Sequence, residues 1–215
     1  MVNPETLLFA SLNLADMNKV VAAKEILEIP ESKWLFDSYR NTHLLPVRTL
    51  AGVGTRADLE NSAINLEGQS YEWSKECPEV IKDYFEEHIF SWIDPNVRIV
   101  ILKTSAKTSN AVHIDCLPCE LEDFSLKLRY VIQGRTDSLY YLTDVGCLFL
   151  PQTDKPFLMD GSWAHGMKNM EPFEKITICL GSPWRGSKKY PEFDQIILKN
   201  NFKRSDGWEK YFIRN

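Results

Sequence analysis

Residues 138–167 read SLYYLTDVGCLFLPQTDKPFLMDGSWAHGM, and this stretch decides the fold class. Short apolar and aromatic runs alternate in it with Asp-Val-Gly, Pro-Gln-Thr-Asp and Asp-Gly, which are residues typical of tight turns. Such short runs at near-regular spacing are typical of consecutive strands. The stretch predicts four of them, at Ser138–Thr143, Cys147–Leu150, Pro156–Met159 and Ser162–Met167.

The same texture extends in both directions over residues 97–184. It predicts four further strands, at Val97–Lys103, Ala111–Asp115, Ser125–Ile132 and Lys175–Gly181. Eight short strands with no helices between them indicate a sandwich or barrel, and they argue against a parallel α/β sheet. We therefore predict a mainly β core over this part of the chain.

Helical spacing is confined to the flanks of this core. The predicted helices are Asn18–Glu28, Pro78–Ile93, Phe193–Asn200 and Asp206–Phe212, with a strand at Leu44–Ala51 and a loop at Gly52–Ser70. A chain of 215 residues suits one domain. We predict a single domain over 1–215, with a mixed helical part at 1–95, the core at 97–184 and a helical extension at 185–215.

The composition excludes several classes of protein. Apolar residues make up 44% of the chain and charged residues 26%, which is ordinary for a globular protein. The net charge of −5 argues against a nucleic-acid partner. No run approaches the roughly 18 apolar residues of a membrane span, and the first residues resemble no secretory signal. The five cysteines, an odd number, are expected to be reduced thiols, which favours the cytoplasm.

Two histidines and an aspartate stand where strands can bring them together. His113 and Asp115 are separated by one residue at the end of a predicted strand. Because side chains alternate along a strand, both point to one face, about 7 Å apart. His165 follows 52 residues later on another predicted strand. Two His and one carboxylate form the facial set that leaves adjacent positions of an octahedral iron(II) open, so we predict a metal site.

A lysine follows at the start of the last predicted core strand. Lys175 lies ten residues after His165 and opens the run Lys-Ile-Thr-Ile. A lone lysine in this position either extends to solvent or meets an anion. Thr177, two residues on, shares its face and adds a hydroxyl. A cation and a hydroxyl that face the barrel interior can seat one end of a dicarboxylate.

Together these residues resemble a known signature. The order His113-x-Asp115, then His165, then Lys175-x-Thr177 is similar to that of the Fe(II)/2-oxoglutarate-dependent oxygenase superfamily. The segments LKLRYV at 126–131, FLMDGSWAH at 157–165 and LGSPW at 180–184 resemble the aspartyl/asparaginyl β-hydroxylase-like branch. The resemblance covers roughly residues 97–184.

The resemblance implies a fold and a metal centre. The expected fold is a double-stranded β-helix (jelly roll, cupin-like) with flanking helices. His113, Asp115 and His165 are expected to hold one catalytic Fe(II). Dioxygen and the cosubstrate 2-oxoglutarate would then give succinate, carbon dioxide and an oxidised C–H bond. The substrate is expected to be an amino acid, a peptide or protein side chain, or a small metabolite.

The resemblance also implies a seat for the cosubstrate. Lys175, with Thr177, is expected to pair with the far carboxylate of 2-oxoglutarate. The usual basic residue of the superfamily is arginine, whose fork binds a carboxylate through two parallel bonds. Arg129, on a predicted core strand, is therefore the alternative partner. Asn110 and Asp160, which flank the ligand segments, are candidates for orienting the ligands.

Two other functions stay open at this point. A cupin-like protein can bind another divalent metal and act as an isomerase, a hydrolase or a ligand-binding module. A non-enzymatic domain can keep the fold with a decayed site. Cys116 and Cys119 form a CxxC next to Asp115, but no further Cys or His follows at the spacing of a zinc site, so we expect two reduced loop thiols.

Overall fold

The computed structural model describes residues 7–52, 70–91, 93, 95–115, 126–161, 163–180 and 202–203. Within them the chain is mainly β, with two helices on the N-terminal side. Helix α1 spans Lys19–Leu27, and helix α2 spans Glu79–Tyr84 and continues as a π-helical turn over Phe85–Ile89. None of the helices in these ranges has the length and apolar character needed to cross a membrane.

Along the chain, the described strands come before, between and after the two helices. In chain order they are β1 (Leu7–Ser11), β2 (Leu35–Asp37), β3 (Thr42–Leu50), β4 (Tyr71–Trp73), β5 (Ile99–Thr104), β6 (Leu126–Gln133), β7 (Leu139–Thr143), β8 (Gly146–Phe149), β9 (Phe157–Asp160), β10 (His165–Met167), β11 (Lys175–Leu180) and β12 (Phe202–Lys203). They pair antiparallel in two sheets.

The larger sheet has the order β12-β1-β9-β6-β11-β5-β3-β2, with β4 beside β3. The smaller sheet has the order β10-β7-β8, and residues 109–115 run antiparallel beside β10 through bridges at Ser109–Lys168 and His113–His165. From β5 to β11, the chain places four segments in the larger sheet and four in the smaller sheet. The sequence β5, 109–115, β6, β7, β8, β9, β10, β11 thus fills two facing four-stranded layers.

This arrangement is the double-stranded β-helix, a jelly roll made from two facing antiparallel sheets. The four larger-sheet members are β9, β6, β11 and β5, and the four smaller-sheet members are 109–115, β10, β7 and β8. The predicted fold class, mainly β with flanking helices, is confirmed.

Two apolar clusters hold the layers together. The inner cluster lies between the sheets and consists of Phe9, Val131, Tyr141, Leu150, Phe157, Met159 and Trp163. The outer cluster lies between the larger sheet and the two helices, and its members include Ile26, Ile81, Phe85, Tyr130, Ile176 and Ile178. Because side chains alternate along a strand, the larger sheet supplies both clusters from its two faces.

The elements match most of the sequence-based predictions. Both N-terminal helices are present, and the strand predicted at Leu44–Ala51 is β3. The segment predicted as strand Ala111–Asp115 makes only isolated bridges, because a bulge interrupts its ladder. Strands β1, β2, β4 and β12 were not predicted. Residues 53–69 of the predicted loop and both predicted C-terminal helices lie outside the described residues.

One buried amide joins the two chain turns at the base of the core. The side-chain nitrogen of Asn169 donates to the carbonyl oxygens of Ser105 at 3.0 Å and Phe173 at 2.8 Å. Its side-chain oxygen accepts from the backbone N–H of Glu171 at 3.2 Å. These bonds fasten the turn after β5 to the turn before β11, and they satisfy the polar atoms of a fully buried side chain.

We expect Asn169→Ala to lower the free energy of unfolding by about 2–4 kcal/mol, because it removes three hydrogen bonds made by a buried side chain. Urea titration followed by tryptophan fluorescence measures this. The neighbouring Lys168→Ala is the control, since Lys168 is exposed and should change stability by less than about 0.5 kcal/mol. Equal stability of the two variants would contradict the assignment.

Candidate metal centre

His113 and His165 face each other across two neighbouring segments of the smaller sheet. The backbone N–H of each donates to the carbonyl of the other at 2.9 Å, so they form a directly opposed pair. Opposed residues project their side chains to the same face of a sheet. The two imidazole centroids are 4.6 Å apart, and both residues are buried.

The backbone also sets which ring nitrogen of each histidine is available. Nδ1 of His113 lies 2.9 Å from the carbonyl oxygen of Ala111, and Nδ1 of His165 lies 2.8 Å from that of Trp163. A carbonyl only accepts, so each Nδ1 carries a proton, and Nε2 is the ring nitrogen that is placed to bind a metal. This is the usual arrangement of metal-binding histidines, whose second nitrogen donates to a fixed acceptor.

Asp115 completes the cluster. Its backbone N–H donates to the carbonyl of Gly161 at 2.7 Å, which holds the residue beside the two rings. Oδ1 lies 3.4 Å from Nε2 of His113, and Oδ2 lies 3.6 Å from Nε2 of His165. One ligand atom from each of the three residues lies within 4.8 Å of the others. The predicted convergence of the three side chains is present in the structure.

The donor set fits a six-coordinate divalent ion. Adjacent ligands of such an ion, at ~2.1 Å from the metal, lie ~3 Å apart, which is close to the separations seen here. Two neutral imidazoles and one carboxylate on one side are the facial set of non-haem iron(II) sites. The same residues can also bind other divalent transition metals, with the relative affinities that nitrogen and oxygen ligands generally show for the first-row metals.

A buried arginine balances the carboxylate. Nη2 of Arg129 lies 2.6 Å from Oδ2 of Asp115, and both side chains are almost fully buried. Burial alone would raise the pKa of the Asp115 carboxyl, but the Arg129 guanidinium and the two imidazoles outweigh it and hold that pKa well below its usual range. Asp115 is therefore ionised and ready to bind a cation at neutral pH. Arg129, predicted as an alternative partner of the cosubstrate, has Asp115 as its partner here.

Lys175 and Thr177 lie deeper between the sheets. Ile176 and Ile178 of β11 belong to the outer cluster, so alternation directs Lys175 and Thr177 inward. The Thr177 hydroxyl makes no side-chain hydrogen bond to the described residues. Both residues thus lie on the inward face of β11.

The Lys175 ammonium is held by neutral oxygens. Only 2% of the residue is exposed, and Nζ donates to the carbonyl of Arg135 at 2.5 Å and to the hydroxyl of Ser138. In the described part of the chain no carboxylate pairs with it. Burial lowers the pKa of Lys175 to about 7. Gly134, at φ +100°, packs against the lysine stem, where an added Cβ would lie 3.1 Å from Cγ.

Two of the remaining candidates, Asp160 and Asn110, lie within the described residues. The backbone N–H and carbonyl of Asp160 bond to the hydroxyl of Tyr141, at 2.9 and 3.1 Å. Asn110 lies on the segment that carries His113, and its side chain is considered below. Cys116 and Cys119 lie outside the described residues. The role of Gly161 could not be predicted from the sequence, because the need for a glycine there arises from the path of another segment, which carries Asp115.

Gly161 is the residue that lets Asp115 approach. A Cβ on Gly161 would lie 2.8 Å from Cβ of Asp115 and 3.3 Å from its Oδ2. We expect Gly161→Ala to displace the carboxylate and weaken Mn(II) binding by about 10–100-fold, the usual range when support of a metal ligand is lost. Isothermal titration calorimetry of the metal-free protein measures this.

Gly166→Ala is the matched control for that experiment. Its Cβ would also be crowded, at 2.7 Å from the Tyr140 hydroxyl, but on the opposite face of the smaller sheet. Stability should therefore fall while the affinity for Mn(II) stays within about twofold. Unchanged Mn(II) affinity in a folded Gly161→Ala variant would show that Asp115 is not positioned in this way.

Comparisons with known proteins give likenesses of structure only. No protein-family model and no curated protein matches the chain. A Pseudomonas putida prolyl-4-hydroxylase is similar with a TM-score of 0.47 and 10% identity, over 81% of this chain and 91% of that one. A 2OG-Fe(II) oxygenase-family oxidoreductase from Burkholderia pseudomallei gives 0.38 and 11%, over 75% of each chain. The collagen prolyl hydroxylase of Paramecium bursaria Chlorella virus-1, solved with 2OG, gives 0.39 and 11%, over 79% and 94%.

Proposed function

We propose that this chain is an Fe(II)- and 2-oxoglutarate-dependent dioxygenase, most simply a hydroxylase. The observation that carries the proposal is the buried cluster of His113, Asp115 and His165, whose ligand atoms all lie within 4.8 Å of one another. A facial set of three protein ligands leaves three adjacent positions of a six-coordinate ion for small molecules. A bidentate 2-oxo acid and dioxygen together need that number.

The position of Lys175 supports a dicarboxylate as the cosubstrate. Along β10 and the residue after it, His165 carries the metal-binding ring, and the N–H of Lys168 donates to Ser138, whose hydroxyl also holds the Lys175 ammonium. Three residues of a strand span about 10 Å. We infer a separation on this scale between the metal ligands and the ammonium, which suits a five-carbon 2-oxo dicarboxylate with one end on the metal and the other accepting a bond from Nζ.

The third N–H of the Lys175 ammonium has no partner among the described residues and can bind the far carboxylate. The Thr177 hydroxyl, on the same face, can add a second bond. Because the Lys175 ammonium is buried, water weakens its attraction for a carboxylate less than it would at the surface. We assign the far carboxylate to Lys175 and Thr177, and to Arg129 the task of orienting Asp115.

The protein residues have clear tasks in such a reaction. His113, Asp115 and His165 would hold the ion, and the apolar inner cluster excludes bulk water from the space beside it. The chemistry that iron(II) supplies when bound is the coupling of two oxidations, so that substrate C–H, 2-oxoglutarate and dioxygen give C–OH, succinate and carbon dioxide. Arg129 keeps the ligand carboxylate charged and in place.

The finer parts of the proposal rest on the sequence. We propose an amino acid, a peptide or protein side chain, or a small metabolite as the substrate, acted on in the cytoplasm without nucleic acid or membrane. The aspartyl/asparaginyl β-hydroxylase-like branch is supported by the three sequence segments quoted above. A cupin-like metal protein without oxygenase activity is the alternative, and the turnover experiment that follows separates the two.

Purified protein with Fe(II), ascorbate and 2-oxoglutarate should release succinate slowly even without a substrate, through uncoupled turnover. We expect His113→Ala and His165→Ala to lower this release by at least about 100-fold, since each removes a metal ligand. His43→Ala is the control, because His43 pairs with Glu31 at the surface. If neither Fe(II) nor 2-oxoglutarate raises the melting temperature and no succinate forms, the proposal is wrong.

The affinity for 2-oxoglutarate should depend on pH through Lys175. With a pKa of about 7, the free ammonium is charged below pH 7 and neutral above it, whereas the bound carboxylate favours the charged form. Binding to Mn(II)-loaded protein without dioxygen should weaken roughly tenfold from pH 7 to pH 8.5. Lys175→Arg keeps its charge, so its profile should be flat. A flat profile for the unaltered protein would contradict the assignment and favour Arg129.

A further inference from the structure

The segment 109–115 carries a β-bulge next to the metal ligands. Ser109 opposes Lys168, with N–H of Asn110 donating to Met167 and N–H of Asn169 donating to Thr108. His113, however, opposes His165. Between these two pairs, the three residues 110–112 face the two residues Gly166 and Met167. One extra residue on one side of an antiparallel pair defines a bulge.

The bulge changes where the Asn110 side chain points. In a regular strand, residues three apart project to opposite faces. The register instead places Asn110 opposite Met167, and Met167 shares a face with His165, two residues before it in β10. Opposed residues project to the same face. Asn110 is therefore directed between the sheets, on the same side as His113.

The described residues make no hydrogen bond to the Asn110 side-chain amide. Its side-chain oxygen is shielded from solvent and has no hydrogen-bond partner among the described residues. The structure shows no bond from its amide nitrogen in that part of the chain either. A buried amide without partners costs free energy that a regular fold avoids, so a ligand that supplies them is the natural explanation.

Asn110 lies between the two ends of the proposed cosubstrate site. Along β10, His165 pairs with His113, Met167 pairs with Asn110, and Lys168 contacts Ser138, which holds Lys175. The order is thus metal, Asn110, ammonium. The carbons in the middle of 2-oxoglutarate accept no hydrogen bond, and the far carboxylate has Lys175 and Thr177. The oxygens of the metal-binding end are the acceptors that remain.

We propose that Asn110 is a cosubstrate-binding residue that donates an amide N–H to an oxygen of the 2-oxo acid end of 2-oxoglutarate. The inference rests on the proposed function, and it assigns Asn110 to the end opposite to Lys175. The oxygen and nitrogen of an amide exchange places by a half-turn, so the shielded position assigned to Oδ1 can equally hold the nitrogen, which then donates to an oxygen acceptor. Asn110 then helps to fix the orientation of the chelate, a task distinct from holding the metal.

The test is calorimetric binding to Mn(II)-loaded protein without dioxygen, with two probes. 2-Oxoglutarate has both ends, and oxalate has only the metal-binding end. We expect Asn110→Ala to weaken both probes about tenfold, the loss typical of a bond to a charged acceptor. We expect Asn110→Asp to weaken both further, because it sets a carboxylate against a carboxylate. Lys175→Met should weaken 2-oxoglutarate and leave oxalate unchanged.

The controls separate binding from folding. Met167→Leu changes the opposed residue of the same row without altering hydrogen bonding, and should keep both affinities within about twofold. The melting temperature and the Mn(II) affinity of Asn110→Ala should equal or exceed those of the unaltered protein, since the amide makes no bond there. A fall in Mn(II) affinity would mean that Asn110 supports the metal ligands instead, and would overturn the inference.

The remaining outcomes are equally decisive. Unchanged affinity of Asn110→Ala for both probes overturns the inference, and so does weakening of 2-oxoglutarate alone, because the contact would then lie at the other end. If the unaltered Mn(II)-loaded protein binds neither probe, the proposed function itself fails. These results are distinguishable, since the last concerns the unaltered protein and the others only the variant.

Discussion

Two backbone hydrogen bonds between His113 and His165, each 2.9 Å long, fix the relation on which the centre depends. They belong to the sheet ladder, so the same interaction that pairs the segments also places the two imidazoles side by side. Each ring is then turned by a bond to a carbonyl two residues earlier in its own chain segment. The ligands are thus positioned by backbone geometry, which a few side-chain changes nearby cannot easily alter.

The two buried cations of the interior, Arg129 and Lys175, have different kinds of partner. A carboxylate that binds a cation is paired with Arg129, while the more distant Lys175 is held only by neutral oxygens among the described residues. Removing a charge from water without a counter-charge is costly, and the low pKa of Lys175 reflects that cost. One cation is therefore committed within the protein and the other is available to an incoming anion.

The sequence predicted the side-chain directions that follow from strand alternation. It did not predict those that change where one extra residue forms a bulge. His113 and Asp115 follow the two-residue repeat of a strand, and the inward face of Lys175 and Thr177 follows from the apolar residues between them. Asn110 could not be placed in this way, because the bulge that redirects it arises from pairing with β10. Likewise, Gly161 and the contact of Arg129 with Asp115 depend on segments far apart in the chain. Strand β1 was missed because it joins the sheet only through residues of β9 and β12.

The placement of β1 has a consequence for how the protein is made. Phe9 pairs with Met159 of β9 and packs against Phe157, and β9 leads directly to the glycine that positions Asp115. The first strand therefore waits for a partner about 150 residues later, which at roughly 5–20 residues per second is many seconds of synthesis. Pairings so distant along the chain also slow folding itself. A growing chain on the ribosome thus carries β1 without its β9 partner until most of the core has emerged, and an unpaired strand edge with apolar residues favours association with other chains in that interval.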